Sequence, residues 1–221
     1  MHINSSMRLW QLISPTLPIG AYSWSTGIEY AVEVGWIKDE ASASEWILGQ
    51  IKNSLPAIDV AVFYRLYEAW YDNNDTKILY WNDVLLAMRE SAELRNEDTG
   101  LGNALIRVFP NLDIHIPDIQ IEDWSYAAAF SWACYQCGLN KEESAQGMLW
   151  SWCENQVAAA IKLVPLGQSS GQRLLSSAIP IIAVAAEQAT KYTDDEIGLL
   201  TPGLAIASAR HETQYSRLFR S

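Results

Sequence analysis

The chain has 221 residues, 49% of them hydrophobic, enough to bury one sizeable core. Its formal net charge is −11, and no stretch supplies the basic face that a nucleic-acid binder needs. An odd count of three cysteines argues against a disulfide framework, and no apolar run approaches the roughly 20 residues of a membrane span.

Leu9, Trp10, Leu12 and Ile13 predict a short first helix, ended by Pro15 and Pro18. A second helix is expected from about Ala21 to Val34, with Trp24, Ile28, Ala31 and Val32 inward and Gly27 in its interior. Glycine there costs about 1 kcal/mol against alanine, which either a close helix contact explains or the helix simply tolerates. Tyr22 falls in the first turn, where its hydroxyl meets either a core partner or a bound protein. Asp39 caps the next helix, in competition with a box made by Ser42 and Glu45, and Pro56 ends it. Val60, Phe63, Leu66, Tyr67 and Trp70 mark the inward face of the following helix.

After a polar loop at Asp72–Thr76, helix resumes through Leu79, Val84, Leu85 and Met88 and runs into the charged segment Arg89–Asp98. Arg89 and Glu93 are spaced to pair on a solvated helix face, at a few tenths of a kcal/mol. Asn111–Ile121 is boxed in by Pro110 and Pro117 and reads as a loop with a short strand-like segment. A helix from near Asp123 stops at Gly138, and Asn140 with Glu143 caps a long successor. That helix carries Val157, Ala160, Ile161 and Val164 on one side and breaks at Pro165 and Gly167. Ser169 and Gln172 fit a capping box that restarts it, leaving a polar elbow with Lys162, Gln168, Gln172 and Arg173. Pro180 marks a kink in the apolar stretch beyond, and Thr201-Pro202 opens a last helix. Periodicity stops at Gln214, and residues 214–221 form a tail that either frays or folds onto a partner.

The segments Ser14–Glu29 (SPTLPIGAYSWSTGIE), Asn155–Leu175 and Ser216–Ser221 (SRLFRS) occur in an order that resembles the urease accessory proteins of the F type, over nearly the whole chain. The periodicity predicts an all-α fold, a single bundle of roughly ten helices spanning residues 1–221. The resemblance implies the same helical fold and a homodimer. It also implies a non-enzymatic adaptor that joins an accessory GTPase of the G type and an accessory protein of the D/H type to apo-urease for nickel insertion, and modulates the GTPase. By position it carries partner contacts onto Tyr22 and Arg217, with Glu29, Lys162, Gln168, Arg173, Leu218, Phe219 and Arg220 beside them. Ala21 and Trp24 depart from the usual pattern, and Trp24 alters the contact surface.

A search for catalytic chemistry returns little. Cys134 and Cys137 have the C-x-x-C spacing of thiolate ligands, but no second pair follows, and buried structural cysteines are expected. They support the alternative of a metal-dependent helical enzyme or metal-binding protein. His2, His115 and His211 are scattered, and His211-Glu212 lacks the second histidine of a zinc-protease motif, since position 215 is Tyr215. Gly167–Arg173 lacks the lysine and Ser/Thr ending of a phosphate loop. No catalytic residue, resident metal or stably bound cofactor is therefore expected, and nickel would pass through the complex transiently. The polar start Met1–Ser6 has no apolar targeting core, so a cytoplasmic location is expected, with no membrane partner. Arg173, Arg217 or Arg220 could enter a GTPase site in trans, although docking is the simpler role for a tail arginine.

Overall fold

The computed structural model describes residues 2–198 and 201–220. Met1, Leu199, Leu200, Ser221 and the side chains of His2, Ile3 and Asn4 lie outside the described residues, and with them the last position of the tail motif. The described residues form ten α-helices joined by loops and four short 3-10 turns, with no strand. The helices are α1 (His2–Leu12), α2 (Ile28–Glu33), α3 (Glu40–Asn53), α4 (Asp59–Tyr71), α5 (Asp75–Ala87), α6 (Ala92–Val108), α7 (Tyr126–Gln136), α8 (Lys141–Leu163), α9 (Gln168–Ala189) and α10 (Pro202–His211). The all-helical expectation holds, and the proline-boxed segment after Pro110 contains no strand.

Helix α4 is the centre of the bundle, packing on α5, α7, α8 and α9. Its periodicity predicts a single apolar face, but Val60, Ala61, Val62, Phe63 and Leu66 are all at 0% exposure, so it is buried nearly all round. Burying each large side chain of this kind stabilises the fold by about 1.5–3 kcal/mol. The long helices α8 and α9 fold back on one another through the elbow, and α10 lies on α2 and α6. One contiguous hydrophobic core runs from Leu12 to Phe219.

Several helix ends sit where local chemistry predicts. Asp39 accepts the Ser42 N–H at 2.9 Å while Ser42 Oγ accepts the Asp39 N–H at 3.1 Å, a reciprocal cap that prevails over the competing box. Asn140 accepts the Glu143 N–H, Gly138 ends the previous segment with a φ of 61°, and Pro202 opens α10.

Other boundaries differ from the sequence reading. The predicted helix from Ala21 to Val34 is a 3-10 turn at Ala21–Ser23, an extended link, and only then α2. Gly27 precedes that helix with a φ of 78°, and a Cβ there would lie 3.3 Å from Ala207 Cβ and 3.2 Å from Ser208 N. The close contact with another helix is thus real, but glycine is required by its left-handed backbone as well. The stretch from Leu79 to Asp98 is two helices: the chain leaves α5 at Met88, and Ser91 caps α6 through the Leu94 N–H. At the elbow Gly167, not Ser169, stands at the N-cap of α9, and no side chain caps it. Helix α9 continues through Pro180 to Ala189.

The break before α6 sends Arg89 inward, so it does not pair with Glu93. Its Nη2 lies 2.5 Å from Asp59 Oδ1 and its Nε 3.0 Å from Asp98 Oδ2. Asp98 also accepts the Tyr126 N–H at 2.7 Å, tying α6 to the start of α7. The same seam is close at Gly102, where a Cβ would sit 2.1 Å from the Trp124 carbonyl oxygen. Glu93, Glu97 and Asp98 are all buried, so this face of α6 is not a solvated one. Burial pushes the Asp98 carboxyl above its ordinary range, against the pull of Arg89.

Candidate functional site

Thr26 and Gly27 both have left-handed backbones, with φ of 52° and 78°. That is rare for a β-branched residue such as threonine, and such strain persists only where the surroundings impose it. Here they do: Thr26 Oγ1 donates to Glu97 at 2.8 Å and accepts from Gln156 Nε2 at 2.9 Å. The double turn starts α2 abruptly and places Glu29 in its first turn, 6% exposed.

Glu29 receives the tail. Its Oε1 accepts the Leu218 N–H at 2.6 Å and its Oε2 the Phe219 N–H at 2.9 Å. Two successive backbone donors on one carboxylate make charge-assisted bonds stronger than neutral ones. Oε2 also lies 3.1 Å from His211 Nε2. The other ring nitrogen, Nδ1, is 2.7 Å from Glu93 Oε2, and Glu93 Oε1 accepts from Arg217 Nη1 at 2.8 Å. Glu29, His211, Glu93 and Arg217 therefore form one chain of contacts, with the imidazole at 0% exposure. Around it, Ser91 and Ser208 share a hydroxyl contact, and Glu212 Oε1 accepts the Ala92 N–H at 2.8 Å. These bonds tie the end of α10 to the start of α6.

The tail closes over this chain. Phe219 is buried, with Lys162 Nζ 5.5 Å from the centre of its ring. The Arg220 N–H donates to the Ser23 carbonyl at 2.9 Å, and the Arg220 guanidinium lies 5.7 Å from the Trp24 ring. Residues 217–220 are thus clasped between the end of α8 and the loop before α2. Tyr22 is 70% and Leu218 67% exposed, the side chains of Lys162, Arg217 and Arg220 are exposed too, and Tyr22 adjoins Ser23, whose carbonyl takes the Arg220 N–H. A core role for Tyr22 is excluded by that exposure.

Seven of the nine sequence-selected residues fall in this region: Tyr22, Glu29, Lys162, Arg217, Leu218, Phe219 and Arg220. Gln168 and Arg173 do not join it. They line a shallow polar depression at the start of α9 with Ser169, Gln172, Ser176 and Ser177. Arg173 turns to α3, with Nε 2.9 Å and Nη2 2.6 Å from the two oxygens of Glu40. This paired Arg173, helped by Ser170, holds the Glu40 carboxyl down to about 2. Within the region, Glu29 and Phe219 are occupied by contacts inside the chain.

Sequence reading missed Glu93 and His211 as parts of this site. The available signal was the mixing of acids with apolar residues along α6, where Glu93, Glu97 and Asp98 accompany Leu94 and Leu105 on the buried side. On the inner side, a partly open cavity of about 110 Å³ lies between Thr26, Glu97, Asp98 and Arg89 and an apolar wall that includes Met148 and Leu149.

The cysteines are free. Cys134 is buried and Cys137 half-buried. Burial pushes all three thiols up, Cys153 to about 12, away from the thiolate form in which sulfur binds metal. His211 directs each ring nitrogen at a different carboxylate, so the three groups do not converge on one point. Among the described residues no group of three or more His, Cys, Asp or Glu is disposed to hold a metal ion, and no helix is long and apolar enough to cross a membrane.

The UreF family model matches residues 37–179. The chain is 46% identical over 216 residues to the urease accessory protein UreF of Alkalilimnicola ehrlichii, covering 97% of this chain and 95% of that one. It is 43% identical over 220 residues to the urease accessory protein UreF of Psychrobacter cryohalolentis, covering 97% and 94%. With the urease accessory protein UreF of Alcanivorax borkumensis the identity is 41% over 229 residues, covering 100% of both chains.

Proposed function

The chain belongs to the UreF family, and we propose that it serves urease maturation as a non-enzymatic adaptor. In this reading it acts as one helical unit, pairs with a second copy of itself, and joins an accessory GTPase of the G type and an accessory protein of the D/H type to apo-urease in the cytoplasm. Nickel crosses the assembly as cargo and is not held here as a resident ion. The adaptor modulates the GTPase through contact.

The observation that supports this reading is the surface around the docked tail. Tyr22 and Leu218 are largely exposed, and so are Lys162, Arg217 and Arg220, on a chain whose net charge is −11. Tyrosine and arginine are enriched at interface hot spots, and a local basic group on an acidic chain gives a partner both direction and register. Arg217 is held at Glu93 and Arg220 against Trp24, so these side chains are positioned before a partner arrives. Binding then requires less ordering than a free tail would.

The test is light scattering on a sizing column, with the intact chain and a version lacking residues 214–221, each with and without the two accessory partners. The reading expects the larger complex from the intact chain alone. Equal assembly of both versions would remove the tail from the interface and leave the Tyr22 loop and the elbow. Assembly by neither would end the adaptor reading.

A further inference from the structure

We infer that the outer face of helix α9 is the surface on which two copies of this chain pair, antiparallel and centred on Pro180, with Arg173 of each copy beside Glu187 of the other. The inference names the surface for the self-pairing in the adaptor reading and rests on that part of it.

Helix α9 packs on α8 and α3, with Leu174, Ala178, Ile182 and Ala185 buried. Its opposite side is left to solvent. Arg173, Ser176, Pro180, Ala183 and Glu187 recur there at intervals of three and four, and every one of them is exposed. Flanking this stripe, Ile179 is 58% and Val184 64% exposed. The apolar surface continues beyond the helix. Ile179 and Ala183 share a groove of about 380 Å³ with Leu9, Trp10 and Ile13 of α1 and Trp150 of α8, and Trp10 is itself 62% exposed. Contiguous exposed apolar surface of this kind marks a site of association.

The charges on the stripe point to a second copy as the occupant. Arg173 stands seven residues before Pro180 and Glu187 seven after it. Two helical turns take about 7.2 residues, so both side chains share the side of Pro180, each about 10 Å from it along the axis. Two such helices running antiparallel about Pro180 bring Arg173 to the partner's Glu187 at both ends, as the two-fold symmetry of a homodimer requires. A parallel pairing would set arginine on arginine and glutamate on glutamate, which is repulsive. Within the chain Arg173 bonds Glu40 at 2.6 Å and Lys191 bonds Glu187 at 2.7 Å, both on the surface. Arg173 uses Nε and Nη2 for Glu40 and Ser170, which leaves Nη1 for a second carboxylate. The antiparallel pairing thus extends two exposed pairs into a row of alternating sign: Glu40, Arg173, Glu187, Lys191. Such charges fix register more than affinity. The affinity comes from Ile179, Val184 and the groove. Between the charges, the same symmetry sets Val184 opposite Ser176 and Ala183 opposite Ser177, short side chains that suit closely packed helices.

The experiment is light scattering on the intact chain over a dilution series, with circular dichroism as the check on folding and the binding of each accessory partner followed in parallel. The unaltered chain should be a dimer. Val184→Asp, at an exposed position, should raise the dimer Kd by about tenfold or more with helix content unchanged. Arg173→Glu alone and Glu187→Arg alone should each weaken the dimer, because each sets like charges together at both ends. An equal mixture of these two variants should form the heterodimer in preference to either homodimer, since every facing pair is then opposite in sign again. A residue that merely supports the fold would give no such preference. A chain that is monomeric throughout would remove self-pairing from the adaptor reading and this surface with it. A dimer indifferent to Val184→Asp would overturn the surface alone and leave self-pairing standing. Loss of an accessory partner with the dimer intact would assign the face to that partner and equally overturn the inference. Weakened dimers with no preference in the mixture would overturn the antiparallel register.

Discussion

Glu29 on α2 and Leu218 in the tail stand 189 positions apart in the sequence and are joined by a hydrogen bond of 2.6 Å. The same carboxylate takes the Phe219 N–H and faces His211, so one side chain fixes the path of the tail. Replacing it with alanine removes the acceptor for both amides and leaves the buried histidine one partner short. Unsatisfied buried donors cost about 1–3 kcal/mol each, but the two amides recover water once the tail lifts. The expected loss for Glu29→Ala is therefore about 1–3 kcal/mol, read as a lower urea midpoint, with faster trypsin cleavage after Arg217. An unchanged cleavage rate would show that Phe219 and Arg220 hold the tail without Glu29.

Arg89 presents a different balance. It is the cation between Asp59 and Asp98 in a buried seam that also joins α6 to α7. Breaking a buried ion pair by removing one partner typically costs about 3–5 kcal/mol, because the remaining charge has nowhere to go. Arg89→Met should fall in that range in chemical denaturation. Adding Asp59→Asn and Asp98→Asn to it should recover part of the loss. If the single substitution costs less than about 1 kcal/mol, water or another cation reaches those carboxylates.

Local signals in the sequence foretold much of this fold, and long-range chemistry hid the rest. A cap such as Asp39 with Ser42, or Asn140 with Glu143, uses atoms a few residues apart, so its pattern can be read directly. Gly27 was visible but misplaced, because periodicity does not report the sign of φ. Arg89–Asp98 looked like an ordinary solvated face. What buries it is a loop at Met88–Ser91 and the distant Asp59, neither of which alters the charge pattern. Three family-like segments led to seven residues that converge on the tail, yet Glu93 and His211 lie outside those segments and become visible only when α6 and α10 meet. Arg173 shows the converse: it lies within a selected segment and pairs with α3 instead.

The Arg173–Glu40 pair has a defined pH dependence. Glu40 is held down to about 2 from an ordinary value near 4.5, chiefly by its hydrogen bonds with Arg173. A depressed carboxyl contributes its stability fully above the unfolded value and loses it as pH falls through the folded one. The pair is solvent-exposed, so its effect is small and salt-sensitive. Arg173→Ala should lower the urea midpoint slightly at pH 5 and above, and the difference should shrink between about pH 4.5 and about pH 2. A difference that persists at the acid end would assign Arg173 a stabilising role other than the ion pair.

Tyr22 separates folding from binding. Its side chain is 70% exposed, while the adjoining backbone is fixed by the turn at Ala21–Ser23 and by the Arg220 N–H on Ser23. Tyr22→Ala should therefore leave stability within about 0.5 kcal/mol of the original, as surface substitutions usually do. Truncating a tyrosine central to an interface costs about 2 kcal/mol, roughly thirtyfold in Kd. The measurement is the affinity of the variant for each accessory partner separately, at one salt concentration, alongside its unfolding curve. A thirtyfold loss toward one partner with unchanged stability would locate that partner over the loop and the docked tail. Undiminished affinity for both would place the contact elsewhere, with the polar depression around Gln168 and Arg173 the next surface to truncate. A fall in stability would mean that Tyr22 packs against the tail, and its binding data would then report the tail's position instead of a direct contact.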